Sequence, residues 1–260
     1  MWQRVEHPSG LVAYRSSALT ALGVPHLATT RLGPFGRPLD LTEPDSATLE
    51  ALRSAAGADP RARLLSLCQV HGSKVVEVAE HGEDLPGPAA GAATVPAAPA
   101  GDALVSGSPH HLLMVYSADC VPVLVASADG RRVAAIHAGW RGLMAGVIPA
   151  ALARLGAAPA AAAIGPCLSL EHCEMGPEVV EQFIAAGLEA AVHTSFGARA
   201  HIDVRTAARI QLERAGCPII DVSDRCTWRD HAEFPSHRRD VTHGTQTRAG
   251  RIGVLIAARR

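Results

Sequence analysis

Short apolar runs bounded by turn residues recur along the chain and predict a fold rich in buried β-strands. Three of them follow one another closely, at Leu112 to Tyr116, Val121 to Ala126 and Val133 to His137. Their short connections, one of which contains Asp129-Gly130, predict neighbouring strands that are at least partly antiparallel. Further strands are predicted at residues 64–70, with 75–79 as its continuation or hairpin partner, and at 160–164, 219–222 and 252–257.

Helical patterns lie between these runs. A helix opened by a serine cap is predicted from Ser46 to Ala56, and another from Leu143 to Leu155. A proline in the first turn begins a helix at 177–186, and an amphipathic pattern predicts one at 204–215. Because helices and strands interleave irregularly, an α+β fold is favoured over a regular doubly wound sheet. We expect one domain over residues 1–260, with the Gly-, Pro- and Ala-rich segment 80–101 as a flexible insertion.

Composition narrows the class of protein. Hydrophobic residues make up 48% of the chain and charged residues 19%, which excludes a disordered polyelectrolyte. A net charge of -1 argues against nucleic acid or an anionic membrane as partner. No secretory signal is visible at the start, and prolines interrupt the apolar stretch 143–168 that resembles a membrane span. With six cysteines and no close pair, we expect free thiols, a cytoplasmic location, and a monomer or weak homodimer.

Three residues at the ends of apolar runs are candidate metal ligands: His71, Cys120 and His137. Two imidazoles and a thiolate would suit zinc with an open fourth position, and their softness is compatible with copper. The ligands are 49 and 17 residues apart (120 − 71 and 137 − 120), unlike any local zinc-binding motif. Three unrelated buried residues therefore remain the alternative interpretation.

Polar residues beside these candidates suggest further roles. Asp119 could orient a ligand histidine or carry a proton, or could simply form a turn. Arg141, after Gly139-Trp140, could hold an anion or lie on the surface at a helix start. The segment Phe234 to Asp240, which contains Arg238 and Arg239, could clamp an anion or form a solvated loop with a local ion pair.

Taken together, these segments resemble the YfiH-type family, also called the laccase-domain or multicopper polyphenol oxidase family. The resemblance spans roughly Leu64 to Ile256 and is carried in order by several motifs. These are Gln69-Val70-His71-Gly72, Asp102-Ala103-Leu104-Val105, Ala118-Asp119-Cys120-Val121-Pro122-Val123-Leu124, His137-Ala138-Gly139-Trp140-Arg141-Gly142, Ile164-Gly165-Pro166, Cys226-Thr227 and Ser236-His237-Arg238-Arg239-Asp240.

The resemblance implies a layered α/β/β/α sandwich related to the catalytic domain of cytotoxic necrotizing factor. It also implies that His71, Cys120 and His137 bind a metal, most often zinc. The implied reaction is purine nucleoside phosphorolysis, in which adenosine, inosine, guanosine or methylthioadenosine reacts with phosphate to give a free base and ribose 1-phosphate. Adenosine deamination is implied for some members.

The chain departs from the family pattern at positions near the expected substrate. An arginine-glycine-glycine segment and a later asparagine-leucine pair appear as Arg31-Leu32-Gly33 and Asp40-Leu41. A tyrosine-glutamate pair appears as Cys173-Glu174, and the tyrosine before the paired arginines as His237. The late glycine-arginine-glutamine appears as Gly244-Thr245-Gln246, which lacks the arginine.

The leading hypothesis is therefore a zinc-dependent purine nucleoside phosphorylase with adenosine deaminase activity as a second reaction. Phosphate is predicted to bind Arg141 and either Arg238 or Arg239, with Arg31 as a further candidate. Asp119 or Glu174 would carry the proton in deamination. The rival hypotheses are a copper-dependent polyphenol oxidase, a hydrolase of peptidoglycan precursors with Cys120 as nucleophile, and a non-enzymatic metal-binding protein.

Overall fold

The structure is a computed structural model that describes residues 1–39, 41, 44–79, 98–195 and 199–260. Its strands are β1 (Trp2–Glu6), β2 (Val12–Ser16), β3 (His26–Thr29), β4 (Arg63–Leu65), β5 (Val75–Glu77), β6 (Ala103–Ser106), β7 (His111–Ser117), β8 (Val121–Ser127), β9 (Val133–Ala138), β10 (Pro159–Ile164), β11 (Glu174–Met175), β12 (Val192–His193), β13 (Ala200–Ile202), β14 (Ile219–Val222) and β15 (Ile252–Ala257). Its α-helices are α1 (Ser17–Ala21), α2 (Ser46–Ala56), α3 (Trp140–Met144), α4 (Val147–Leu155), α5 (Pro177–Ala185) and α6 (Val204–Arg214).

Most strands belong to two six-stranded mixed sheets. The first has the order β1-β2-β3-β15-β7-β4, and the second has the order β14-β10-β8-β9-β6-β5. A small three-stranded sheet, β11-β13-β12, lies apart from them. β15, near the end of the chain, pairs with β3 on one side and β7 on the other, and so connects the N-terminal strands with strands from the middle of the chain.

The two sheets pack face to face, as the alternation of apolar side chains requires. In β7, Leu113 and Val115 belong to the same buried cluster as Leu124 of β8. The alternate β7 residue Met114 instead packs into a second cluster on the outer side of the first sheet. The alternate β8 residue Val123 packs into a third cluster beyond the second sheet.

Helices cover both outer faces. Leu52 of α2 packs on the first sheet, and residues of α3 to α6 pack on the second. The layer order is therefore helix, sheet, sheet, helices, which confirms the predicted α+β sandwich with α/β/β/α layers.

Several local predictions need correction. The runs at 64–70 and 75–79 are not partners, because β4 pairs with β7 in the first sheet and β5 with β6 in the second. The predicted helix at 143–155 is two helices, since Gly146 between α3 and α4 has a left-handed backbone. Helix α2 is capped by the side chain of Asp45, which accepts a hydrogen bond from the Thr48 N–H, and not by Ser46.

Of the predicted insertion 80–101, residues 80–97 lie outside the described part of the chain. Residues 98–101 lead back into β6, and Ala100 forms a parallel bridge with Cys68. The cysteines are all free thiols, as predicted. Among the described residues, no helix is long and apolar enough to cross a membrane.

Candidate metal centre

The three candidate ligands meet at one end of the second sheet. β8 and β9 are antiparallel, so the start of β8 lies beside the end of β9, with Val121 opposite Ala138 and Pro122 opposite His137. β6 pairs with the other edge of β9, with Ala103 opposite Ile136. Cys120, which precedes β8, and His137, near the end of β9, are therefore neighbours despite their distance in sequence.

The loop between β4 and β5 brings His71 to the same place. The ligand atoms of His71, Cys120 and His137 all lie within 4.8 Å of one another. The imidazole rings of His71 and His137 meet edge to face, with centroids 4.9 Å apart. His137 is buried, Cys120 is half-buried and His71 is exposed, so the cluster opens to solvent on the His71 side.

Asp102 organises this cluster, although the sequence pattern gives it no role. Its Oδ1 lies 2.9 Å from Nδ1 of His137 and accepts a 2.9 Å hydrogen bond from the backbone N–H of His71. Its Oδ2 accepts a 2.7 Å bond from the N–H of Gly72. Because a carboxylate only accepts hydrogen bonds, Nδ1 of His137 carries the proton and Nε2 is left to bind a metal.

The backbone around the cluster is strained. His71 has φ 60° and Asp119, next to Cys120, has φ 95°, a region that non-glycine residues rarely occupy. Such a conformation costs about 1–3 kcal/mol and persists where the surroundings determine it. Asp102 supplies that constraint at His71 by accepting the N–H groups of His71 and Gly72.

Gly139 makes room for the three ligands. A Cβ atom at this position would lie 3.0 Å from Sγ of Cys120 and 3.1 Å from Cδ2 of His71. Any larger residue would have to displace the ligands. Two imidazoles and a cysteine sulfur that lie within 4.8 Å of one another are a donor set that zinc takes in open three-ligand sites, so the residues present fit a zinc ion.

Burial and neighbouring charges change the acidity of this group. Burial raises the pKa of Cys120 to about 12, the Asp119 carboxylate acts in the same direction, and Arg141 opposes the shift. Desolvation lowers the pKa of His71, and the charges of His137, Arg141 and Arg251 act in the same direction. Burial alone would raise the pKa of Asp102, but the hydrogen bonds from His137 and Gly72 outweigh it and hold the pKa below its usual value.

Asp119 contacts the following loops and not the ligand histidines. Its Oδ1 accepts a hydrogen bond from the Thr227 hydroxyl at 2.5 Å, and its Oδ2 accepts one from the Arg238 backbone N–H at 2.6 Å. The carboxylate that orients a ligand histidine is thus Asp102. Asp119 instead fastens the 227–238 segment beside Cys120.

The two arginines of that segment differ sharply. All five N–H groups of the Arg239 guanidinium donate hydrogen bonds, to the carbonyls of Thr227, Trp228 and Phe234 and to both carboxylate oxygens of Asp240. Arg239 therefore has no donor left for phosphate, which argues against the predicted binding role. The interpretation of a local ion pair fits it better.

Arg238 keeps donors available. Its Nη1 donates to the carbonyl of Glu174 at 3.0 Å, and the two residues line a small cavity of about 140 Å³ together with Trp228. The Glu174 carboxylate pairs with Arg199 at 3.0 Å. In the same cavity wall the His172 ring stacks on Trp228, with centroids 5.0 Å apart.

Arg141 and Arg31 lie outside this small cavity. The Arg141 guanidinium lies over the Trp140 ring, 4.1 Å from its centroid, and is exposed at the start of α3. Arg31 lines a larger cavity of about 620 Å³, and one of its N–H groups donates to the carbonyl of His231 at 3.1 Å. The lining of that cavity does not include the three candidate metal ligands, but it includes Arg251, whose charge acts on His71.

The departures from the family pattern fall in different places. Asp40 lies outside the described residues, whereas Cys173 is 2% exposed and closely packed. His237 and Thr245 are exposed. Arg251 lies directly before β15 and lines the larger cavity, whose lining does not include Thr245.

Comparisons with known proteins agree with this architecture. The purine nucleoside phosphorylase YfiH of Shigella flexneri is 32% identical over 240 residues, which cover 91% of this chain and 92% of the relative. A purine nucleoside phosphorylase of Deinococcus radiodurans is 37% identical over 237 residues, which cover 85% of each chain.

Solved structures show the same fold. YlmD from Geobacillus stearothermophilus superimposes with a TM-score of 0.76 at 26% identity, over 99% of each chain. The hypothetical protein YfiH of Bacillus licheniformis gives a TM-score of 0.77 at 21% identity, also over 99% of each chain. A model of the family described as multi-copper polyphenol oxidoreductase laccase matches residues 43–259. The chain therefore belongs to this family, whose relatives include the YfiH-type proteins.

Proposed function

We propose that this protein is a zinc-dependent purine nucleoside phosphorylase. The observation that carries the proposal is the convergence of His71, Cys120 and His137 within 4.8 Å, in a chain whose relatives bear the name purine nucleoside phosphorylase. The reaction breaks the bond between the purine nitrogen and the anomeric carbon of the ribose. A phosphate oxygen bonds to that carbon, the base leaves with a proton, and the products are a free purine and ribose 1-phosphate.

The ligand set supports a resident metal ion. When bound, zinc would supply a Lewis acid that stabilises negative charge developing in the transition state. Asp102 holds His137 in the tautomer that presents Nε2, and the exposed side of His71 leaves a coordination position open. Copper is compatible with the same ligands, so the native metal is part of the proposal to be tested.

The chain supplies candidate cationic groups for phosphate. Arg31, Arg141 and Arg238 keep guanidinium donors that are not bonded within the described structure, whereas Arg239 does not. Guanidinium groups would hold phosphate next to the ribose and stabilise its charge while the bond to the base breaks. A cavity of about 620 Å³ falls in the range of small-molecule sites and can hold a purine nucleoside.

Adenosine deamination is proposed as a second reaction of the same site. Glu174 is the better proton carrier of the two carboxylates considered, because 42% of its side chain is exposed at the edge of a cavity. Asp119 has both carboxylate oxygens engaged by Thr227 and Arg238. We propose that Asp119 positions Arg238 and that Glu174 faces the substrate.

The polyphenol oxidase hypothesis is less well supported. Multi-copper oxidation needs several copper sites that exchange electrons, but the described residues hold one cluster of metal ligands, at His71, Cys120 and His137. Peptidoglycan-precursor hydrolysis and a non-enzymatic metal-binding role are the alternatives left if a metal-loaded protein releases no base in the experiment below.

The direct test is a nucleoside panel with purified protein. Adenosine, inosine, guanosine and methylthioadenosine are incubated with and without phosphate, and bases, sugars and deaminated nucleosides are then separated. We expect base and ribose 1-phosphate to appear only with phosphate, and the protein to contain zinc when purified without added metal. Release of no base from any nucleoside, in a metal-loaded folded protein, would contradict the proposal.

A further inference from the structure

The larger cavity carries a positive charge that the sequence pattern does not reveal. It is formed by the segment after β3 and by the residues that precede β15. Its lining contains the guanidinium groups of Arg31, Arg37 and Arg251, and no acidic residue among the residues described there. Three arginines favour an anionic ligand in this cavity, and the charges of Arg31 and Arg37 also act on Asp240 and Asp45, which lie outside its lining.

Arg251 is a member of this set with open donors. Its guanidinium lies over the Tyr116 ring, 5.8 Å from the centroid. Among the described residues, none forms a hydrogen bond or ion pair with that guanidinium, whereas each N–H of Arg239 is bonded. A guanidinium held by a ring face keeps its planar set of donors for a ligand.

Tyr116 links Arg251 to the metal centre. The side chain of Gln69 brackets the Tyr116 backbone, donating to its carbonyl at 2.9 Å and accepting from its N–H at 2.7 Å. Gln69 lies two residues before His71. The cavity face that carries Arg251 is therefore tied to the loop that presents a candidate metal ligand.

We propose that Arg251, together with Arg31, binds the phosphate of the reaction in this cavity. The inference rests on the proposed phosphorylase function. The shared ligand chemistry is a phosphate dianion, which arrives either as free inorganic phosphate or attached to a nucleotide.

The test measures phosphate binding directly, so that it does not depend on turnover. Inorganic phosphate and inosine 5′-monophosphate are titrated by calorimetry into the wild-type protein and the variants Arg251→Met and Arg248→Met. Arg248 is an exposed arginine that does not line the cavity, so its variant removes the same charge nearby. We expect Arg251→Met to weaken the binding of whichever ligand binds by roughly tenfold to a hundredfold, because charge-assisted hydrogen bonds are lost. We expect Arg248→Met to keep the wild-type affinity within about twofold.

The proposal is overturned if Arg251→Met binds both ligands as tightly as wild type, if both variants weaken binding equally, or if the wild-type protein binds neither. Arg251→Lys serves if the methionine variant does not fold. It keeps the charge but not the planar set of donors, so we expect weaker binding than in wild type, and equal binding would overturn the proposal. Phosphorolysis is measured separately: a wild-type protein that binds phosphate at Arg251 but cleaves no nucleoside would refute the proposed function and leave this assignment standing.

Discussion

His137 and Asp102 are joined twice. Nδ1 of His137 lies 2.9 Å from Oδ1 of Asp102, and the backbone N–H of His137 donates to the Asp102 carbonyl at 2.7 Å. Asp102 is fully buried and also accepts the N–H groups of His71 and Gly72. One carboxylate therefore sets the tautomer of one candidate ligand and the backbone of another.

Replacing Asp102 by asparagine should weaken metal binding more than folding. An amide keeps one acceptor oxygen, but it loses the charge and points two N–H donors at a site that needs acceptors. We expect metal affinity to fall by about 10–100-fold, the usual effect of removing a carboxylate behind a ligand histidine. Competition with a chelating dye measures this affinity. Asp129→Asn, in an exposed turn, is the control and should bind metal as wild type does.

Gly139→Ala should displace the ligands without disturbing α3. Gly139 has φ −68° and ψ 166°, which alanine adopts freely, so the effect comes from the added methyl group near Sγ of Cys120 and Cδ2 of His71. We expect metal affinity to fall by roughly tenfold or more, of the order of 1.4 kcal/mol. Unaltered metal affinity in this variant would contradict the geometry of the centre.

Arg239→Lys should lower stability and leave phosphate binding intact. Lysine cannot reproduce five hydrogen bonds in one plane, and we expect a loss of about 3 kcal/mol in the free energy of unfolding. Urea denaturation measures it. Arg229→Lys is the matched control, since the Arg229 side chain is 55% exposed and its pair with Asp230 should contribute at most about 1 kcal/mol. A lower phosphate affinity in Arg239→Lys at unchanged stability would show that Arg239 binds phosphate and does not mainly stabilise the loop.

His26 should make the fold sensitive to mild acid. Its Nε2 accepts from the Ser16 N–H at 2.8 Å and its Nδ1 lies 2.8 Å from the Val24 carbonyl, so the fold holds a neutral ring. Burial, together with the charge of Arg15, lowers the pKa of His26 from 6.5 to about 4. The unfolded chain binds the proton first, so this stability is complete above pH 6.5 and is lost as the pH falls towards 4.

The loss attributable to His26 is as much as about 3 kcal/mol. Urea denaturation at several pH values should show it, with a flatter pH dependence between 6.5 and 4 in His26→Gln. The exposed His231 gives the control substitution, which should keep the wild-type slope. Equal slopes in wild type and His26→Gln would show that other groups cause the acid sensitivity.

The sequence pattern predicts the strands better than their pairing, and the layered sandwich is implied by the family resemblance. Continuous apolar runs identify strands such as β7, β8 and β9, because each of these strands fills a core on both faces. The pattern does not show that β4 and β5 belong to different sheets, since pairing is decided by long-range packing. Nor does it show the break at Gly146, because the helical pattern of apolar residues continues across it.

The candidate metal ligands can be named from sequence, but their spacing does not predict that they meet. Cys120 and His137 meet through the register of β8 and β9, and the loop between β4 and β5 brings His71 to them. Asp102 lies within one of the family motifs, yet a buried aspartate before a strand looks like a turn residue until its partners are known. The sequence also does not distinguish Arg238 from Arg239, because the number of guanidinium donors left for a ligand depends on how the surrounding loop folds.

The proposed phosphorolysis depends on a metal held by His137. The most direct measurement is the rate of phosphate-dependent hypoxanthine release from inosine by His137→Ala protein, compared with wild type as purified, after chelation and after zinc is restored. We predict that the variant binds no metal and releases no hypoxanthine, and that zinc restores activity to chelated wild type. Undiminished phosphorolysis by folded, metal-free His137→Ala protein would contradict the claim.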